Sequence, residues 1–484
     1  MITKKFLGIL LLASCVASVS CKKVLNIAPE YSLDGQQLNS IADYEFALTG
    51  AYTGFRSTNY YGATSAASNA FACLPDILSD NLNETGESLG NERVFSRWAF
   101  AEDETQIENT WIAGYRLVTR ANIVENNIDK FASDDQGAVN RIKAQALAIR
   151  ALAHFDLMRY FVDNYDRNST VPGIPYMTIF DYEQKPARGT VKEDYDHVEQ
   201  DLRTAKALMG NMDHAINSGS SRAYIDANAV NAILARVFLY SNQVDSAIKY
   251  ATFAINARPL ATRAAFPDIW TDASTAEVFW SCVFEAGQGG PGLNVYFPTT
   301  NRSEYRPNPT LVSSYDAVND IRYVSYFKNI NTGNPPNPNN PTRLVLSKYL
   351  AKAAQLGKPD GVVNFKAFRT GEMYLIRAEA YARKGDQVNA LVDLNTLRAA
   401  RINGYVPVVL AGTALTDAIQ QERRKELICE GHRFFDLKRT TRLVSRANCA
   451  TFCTLPPGNR AWTWPIPQPE IDANANILPQ NPGY

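Results

Sequence analysis

Four histidines and seven cysteines in 484 residues, with no excess of either charge, remove several classes of protein at the outset. His154, His197, His214 and His432 are scattered, with no H-E-x-x-H pair and no cysteine or carboxylate set beside them, so no metal is expected. The 49 basic and 49 acidic residues cancel. That leaves no electrostatic footprint for nucleic acid and no polybasic patch for a lipid surface, so small molecules or proteins are the expected partners. Beyond the signal-like start, only Cys73, Cys282, Cys429, Cys449 and Cys453 remain, too few for a disulfide scaffold. Cys449 and Cys453 lie close together in a loop-like stretch, where a local disulfide and two free thiols are equally compatible with the spacing. No stretch reaches the roughly 18 to 20 apolar residues of a membrane-crossing helix. A G-x-S-x-G elbow is missing as well. Gly287-Gln288-Gly289-Gly290-Pro291-Gly292 satisfies G-x-G-x-x-G after the strand-like run Val278 to Phe284. It lacks the following helix that a dinucleotide site needs, so no cofactor is expected.

What is present begins with an export signal. Lys4 and Lys5 precede an apolar run from Phe6 to Val19, and small residues lead into Cys21. Residues 1–20 are expected to be a lipoprotein signal peptide, Cys21 the lipidated residue, and 21–40 a polar tether. Cys15, behind Leu12-Ala13-Ser14, fits the usual lipobox better, but cleavage there leaves a very short apolar region and a hydrophobic stub. Cys21 is therefore favoured.

From Ile41 onward the apolar spacing is mostly helical, over Tyr44 to Phe55, Trp111 to Phe131, Ala138 to Val162, Glu193 to Met209, Asp226 to Asn256, Ala367 to Ala400 and Ala414 to Lys438. Loops rich in Gly, Pro and Asn separate them, notably Asn81 to Asn91, Gly287 to Pro309 and Asn331 to Pro341. Two sets of residues keep tetratricopeptide spacing: Ala235, Phe238, Ala247, Ala251 and Ala254 with Pro259 closing, and Ala378, Tyr381, Ala390, Leu394 and Leu397. Alanine at a helix crossing lets two backbones approach, and the aromatic fills the gap beside it. The expected fold is mainly α, a tetratricopeptide-like scaffold of helical hairpins with long inserted loops. Residues 41–260 and 261–484 are expected to form two halves packed as one unit.

The second half carries a set of ordered motifs. They are Glu372-Met373-Tyr374-Leu375-Ile376-Arg377-Ala378-Glu379-Ala380, the partner helix Ala390 to Arg401, Glu422-Arg423-Arg424-Lys425-Glu426-Leu427, and Glu430-Gly431-His432-Arg433-Phe434-Phe435-Asp436-Leu437-Lys438-Arg439. The chain then ends on Trp464-Pro465-Ile466-Pro467 and Gln480-Asn481-Pro482-Gly483-Tyr484. Together they resemble the SusD/RagB family. Leu48 to Tyr52, Ala121-Asn122 and Arg150 to Tyr160 agree more loosely, and Leu25 and Pro29 keep the family's spacing behind a lipidated cysteine. The resemblance implies a SusD-like fold and a non-catalytic nutrient-binding lipoprotein on the outer face of a Bacteroidota outer membrane. It implies a SusC-like TonB-dependent transporter as partner, with an oligosaccharide ligand, or a peptide in RagB-like members. Read from the residues alone, Glu422, Arg423, Arg424, Glu426 and Arg433 form a paired or solvated charge face rather than a ligand site.

Sugars present flat apolar ring faces edged by hydroxyls, so a site for them combines an aromatic platform with Asp, Asn, Gln or Arg. Two loop regions offer that mixture. One holds Asp80, Asn81, Asn83, Arg97 and Trp98; the other holds Asn294, Tyr296, Phe297, Asn301, Arg302 and Tyr305. The alternative for each aromatic is that it anchors its loop to the scaffold. A surface glycoside hydrolase is the remaining functional class, but nothing selects a carboxylate pair among 49 acidic residues.

Overall fold

The computed structural model describes residues 38–64, 69–181, 183–210, 221–285, 287–297, 300–331, 342–350 and 362–484. Cys21, the signal segment, nearly all of the tether, His214 and residues 332–341 lie outside the described residues. No described helix is long and apolar enough to cross a membrane.

Ten helices carry the architecture. They are α1 (Ile41–Thr53), α2 (Thr105–Glu125), α3 (Gln136–Phe161), α4 (Val191–Met209), α5 (Ala227–Tyr240), α6 (Val244–Ala257), α7 (Thr370–Lys384), α8 (Gln387–Arg401), α9 (Gly412–Glu426) and α10 (Arg433–Arg439). Their starts follow capping chemistry. Asp135, Asp226 and Asp386 each accept a backbone N–H of the first turn, and Thr190 with Glu193 closes a reciprocal capping box on α4. Helix α3 is the spine: every residue from Ala144 to Phe161 is buried, as a helix enclosed on all sides requires. Helices α1, α2 and α4 pack around it. The proline-rich C-terminal segment closes onto the same helix, with Trp464 stacked on Tyr160 at 3.7 Å between ring centroids and its backbone N–H donating to the Tyr160 carbonyl at 2.9 Å.

The two alanine-spaced units are helical hairpins, α5/α6 and α7/α8. All of Ala235, Phe238, Ala247, Ala251 and Ala254 are buried. Ala378, Ala390 and Leu394 form one apolar cluster with Leu415 and Ile419 of α9, and Tyr381 packs on its edge. Although more than a hundred residues separate the hairpins in sequence, α6 packs directly on α7, so the array is continuous in space. The intervening insertion leaves and returns through one antiparallel pair, Val278–Cys282 with Phe365–Arg369. One hydrophobic cluster runs from Leu38 to Ile477 and draws on both halves.

The structure redraws two sequence-based boundaries. Ala367 starts no helix; it lies in the strand Phe365–Arg369, fully buried. The Ala414 to Lys438 segment breaks after Glu426, where Cys429 (φ +53°) and Gly431 (φ +79°) turn the chain. Gly289 is demanded by close approach, since a Cβ there would lie 1.8 Å from the Ala63 carbonyl oxygen.

The charged motif of α9 is paired, as its spacing implies, but not solvated: Glu422, Arg423, Arg424, Lys425 and Glu426 are all buried. Glu422 accepts from Arg322 at 2.6 Å and from Arg398 at 2.7 Å. Burial alone would raise its pKa, but Arg322, Lys425 and Arg398 outweigh that and hold it at about 2, below the ordinary 4.5. A depressed folded-state pKa contributes stability that is complete above the unfolded pKa and is lost as pH falls toward the folded one.

Two outcomes are therefore expected. Ala378→Leu should destabilise the protein by about 1–3 kcal/mol through overpacking, read as a lowered melting temperature, whereas Val388→Ser, exposed on the same hairpin, should leave melting unchanged. Glu422→Gln should cost about 3–5 kcal/mol at neutral pH, because it strands buried cations. Urea unfolding at descending pH should show its gap to the parent narrowing between about 4.5 and 2. A gap that does not depend on pH would contradict the pairing.

Candidate functional site

The two sequence-selected loop regions meet. The strand Leu82–Glu84 pairs antiparallel with Tyr305–Pro307, placing Glu84 opposite Tyr305, and the Asn308 N–H donates to the Asn81 carbonyl at 2.8 Å. Most of the side chains chosen from those loops, however, serve to fasten them. Asp80 is 7% exposed and accepts both forks of Arg433, at 2.7 and 2.8 Å. Burial would raise its pKa, but Arg433 and Arg424 hold it below the ordinary value. Asn81 is fully buried between Asp76 and Arg424. Asn294 is fully buried too. Tyr296 packs with Val345 and Leu350, its hydroxyl donating to Asn301 at 2.7 Å, and buried Tyr305 donates to the Asn91 carbonyl at 2.6 Å. The expectation of a ligand platform is thus corrected for Asp80, Asn81, Asn294, Tyr296 and Tyr305. Tyr296 and Tyr305 are turned inward in short paired strands, and Asp80, Asn81 and Asn294 are buried in the loops beside them.

Arg97 and Trp98 lie nearer the surface. Trp98, at φ +54°, is half-buried and donates its indole N–H to the Leu78 carbonyl at 2.9 Å. Arg97 keeps 40% of its side chain exposed while binding Glu84, which Arg93 also engages at 2.6 Å.

Sequence reasoning missed the opposing wall. Val444–Ser445 pairs with Thr454–Leu455, and the loop between them is closed by a Cys449–Cys453 disulfide. That settles the open alternative in favour of the bridge. The pinned loop presents Phe452 at φ +57° and 49% exposed, with the Arg97 guanidinium 5.9 Å from its ring centroid. Arg446, at the base of the loop, stacks 4.4 Å over Trp98 and donates to the carbonyls of Ser79 and Ile77, each at 2.7 Å, and also to that of Ser96. Burial lowers its pKa to about 10, which leaves it a cation at neutral pH. The first loop region and the disulfide loop line a polar cleft of about 390 Å³, with Asn83, Glu84, Arg93 and Arg97 on one side and Arg446 and Asn448 on the other. The one signal in the sequence was an aromatic one residue before the second of two closely spaced cysteines.

A larger, more apolar groove of about 850 Å³ runs between α2, residues 175–186 and the C-terminal segment, with Trp111, Tyr115, Ile179 and Phe180 in its walls. Of the described histidines, His154 and His432 are buried and His197 is exposed. His154 donates to the Arg150 carbonyl and accepts from the Met177 N–H, and burial drives its pKa down to about 3, keeping the ring neutral. Among the described residues no His, Cys, Asp and Glu grouping could hold a metal ion.

Comparison with known proteins covers both halves. A family model described as "Starch-binding associating with outer membrane" matches residues 33–239, and the SusD family model matches 294–484. SusD-like protein P2 of Formosa agariphila is 24% identical, with 92% of each chain aligned. The crystal structure of a SusD superfamily protein from Bacteroides thetaiotaomicron superposes with a TM-score of 0.78 at 25% identity, over 92% of this chain and all of the other. That of a SusD-like carbohydrate binding protein from Bacteroides vulgatus gives 0.76 at 21% identity, over 91% and 98%. With the helical-hairpin scaffold, the C-terminal motifs and matches across both halves in agreement, this chain belongs to the SusD/RagB family.

Proposed function

We propose that this chain is a non-catalytic, lipid-anchored capture protein of the outer membrane, which binds oligosaccharide in the cleft beside Phe452 and passes it to a SusC-like TonB-dependent transporter. The observation that carries the reading is Phe452 itself: a half-exposed ring on a disulfide-closed loop whose Cys449, Ala450 and Thr451 line a cleft of guanidinium, amide and hydroxyl groups, with the ring 5.9 Å from the Arg97 guanidinium of that lining. An apolar face with hydrogen-bonding groups around it is what a sugar ring requires. Family membership supports carbohydrate binding and association with the outer membrane. The anchor rests on Cys21 and the signal-like residues before it.

Two tests follow. Phe452→Ala in the detergent-solubilised full chain should weaken oligosaccharide binding by about 1–3 kcal/mol, as removal of an aromatic stacking contact does elsewhere, without lowering the melting temperature. Calorimetry showing parental affinity would remove the cleft from consideration. Cys21→Ala should release the protein from membranes of cells that lack the transporter, since each buried acyl CH₂ contributes about 0.8 kcal/mol, while Cys15→Ala should not. Undiminished retention of the Cys21 variant on fractionation would refute the anchor.

A further inference from the structure

The whole chain carries no net charge, yet the cleft does. Three guanidiniums line it, from Arg93, Arg97 and Arg446, against a single carboxylate, Glu84. Glu84 is divided between two of them, Arg93 on one oxygen and Arg97 on the other. The third, Arg446, directs its bonds to main-chain carbonyls, and among the described residues it is in no ion pair. The imbalance continues along the adjoining strands. Arg306 and Arg343 share Glu87, and Arg302 pairs with Glu304. Across the cleft and these strands six arginines therefore stand against three carboxylates, of which Glu304 is fully buried. Glu92, buried close by, does not restore the balance, because desolvation and then the neighbouring Glu104 and Glu304 favour its protonated form.

We infer that the cleft selects anionic oligosaccharides, chains carrying uronate carboxylates or sulfate esters, over neutral ones. The inference rests on the binding site proposed above and names the ligand class for it. Arg93 commits one of its five N–H donors to Glu84 and Arg97 two, and both side chains are about two-fifths exposed. The donors not committed to Glu84 form forks matched to the paired oxygens of a carboxylate or sulfate. Phe452 supplies the surface for a sugar ring beside them, and its contact with Arg97 sets platform and charge next to each other. A cationic cleft with low-dielectric walls also concentrates anionic ligands from solution.

The test is calorimetry on the detergent-solubilised full chain with three probes: a galacturonate tetramer, a sulfated galactan tetramer and a neutral galactan tetramer. At low ionic strength at least one anionic probe should bind about tenfold or more tightly than the neutral one, equivalent to about 1.4 kcal/mol. The gap should narrow at about 0.3 M salt, where charges are screened over a few ångströms. The two anionic probes separate carboxylate from sulfate recognition. The double variant Arg93→Gln/Arg97→Gln, at rim positions whose loss should leave melting unchanged, should abolish the preference, whereas Arg97→Lys should keep part of it. Equal or tighter binding of the neutral probe, with that binding lost in Phe452→Ala, overturns the charge selectivity and leaves the cleft standing. An anionic preference that survives the double variant overturns the role assigned to these arginines. Binding untouched by Phe452→Ala, or no binding of any probe, overturns both the selectivity and the cleft.

Discussion

Glu426 accepts from three fully buried arginines at once, Arg322, Arg369 and Arg401, and the rest of the C-terminal half is arranged around that contact. Removing a charge from water costs several kcal/mol, and an interior pair recovers this only when its geometry is good and every partner is present. The partners here come from separate pieces of chain. Arg322 lies in the short helix Ile321–Tyr326 of the insertion, Arg369 ends the strand that leads into α7, Arg401 ends α8 and Glu426 ends α9. Glu277 and Glu430 complete the shell on Arg369 and Arg401. No subset of these elements satisfies the cluster, so it rewards only the arrangement in which all are docked. The fit is tight enough to dictate a neighbour: a Cβ on Gly371 would lie 2.5 Å from Arg369 Nη1 and 2.6 Å from Glu426 Oε1.

The same motif sets the position of the cleft. Successive residues of α9 face different neighbours: Glu422 and Glu426 the interior arginines, Arg423 the Asp436 carboxylate, and Arg424 the Asp80 carbonyl with the Asn81 side chain. Arg433, just beyond the turn, binds the Asp80 carboxylate. The strand Leu82–Glu84 departs directly from Asn81 and sets Glu84 opposite Tyr305, where Arg93 and Arg97 bind its carboxylate. Arg446 then fastens the disulfide loop to the carbonyls of Ile77 and Ser79, on the same stretch of chain. The variable-looking loops are thus held by buried charges on a rigid scaffold, which is how a loop-built site keeps its geometry.

What the sequence reveals depends on the range of the interaction. The hairpins α5/α6 and α7/α8 were legible because alanine and aromatic spacing is a local pattern that the helix itself repeats. The strand Phe365–Arg369 was not, since it is buried on both faces with Lys366 and Arg369 inside it, so no alternation marks it. Nor could the spacing of Glu422 and Glu426 announce their burial, because the cations that make burial tolerable come from Arg322, Arg369, Arg398 and Arg401 on other elements. At the site, both loops were legible as separate candidates, but their pairing with each other, and which of their side chains face outward, follows from long-range strand register. Tyr305 and Asp80 carry the right chemistry and point the wrong way. Phe452 has the right exposure in a segment noticed only for its cysteines.

Net charge is a poor guide to this surface for a related reason. Around Glu426 the interior gathers five acids, Asp320, Glu277, Glu422, Glu426 and Glu430, with six bases, Arg322, Lys348, Arg369, Arg398, Arg401 and Lys425. Such sets must nearly balance, because an uncompensated interior charge is too costly to keep. They enter the whole-chain count while contributing little field outside. Arg446 escapes this rule by placing its N–H groups on neutral carbonyls, which satisfy its hydrogen bonds without cancelling its charge. One residue therefore both ties the disulfide loop to the scaffold and leaves a positive charge at the base of the cleft, so the structural constraint and the electrostatic character of the site have a common origin.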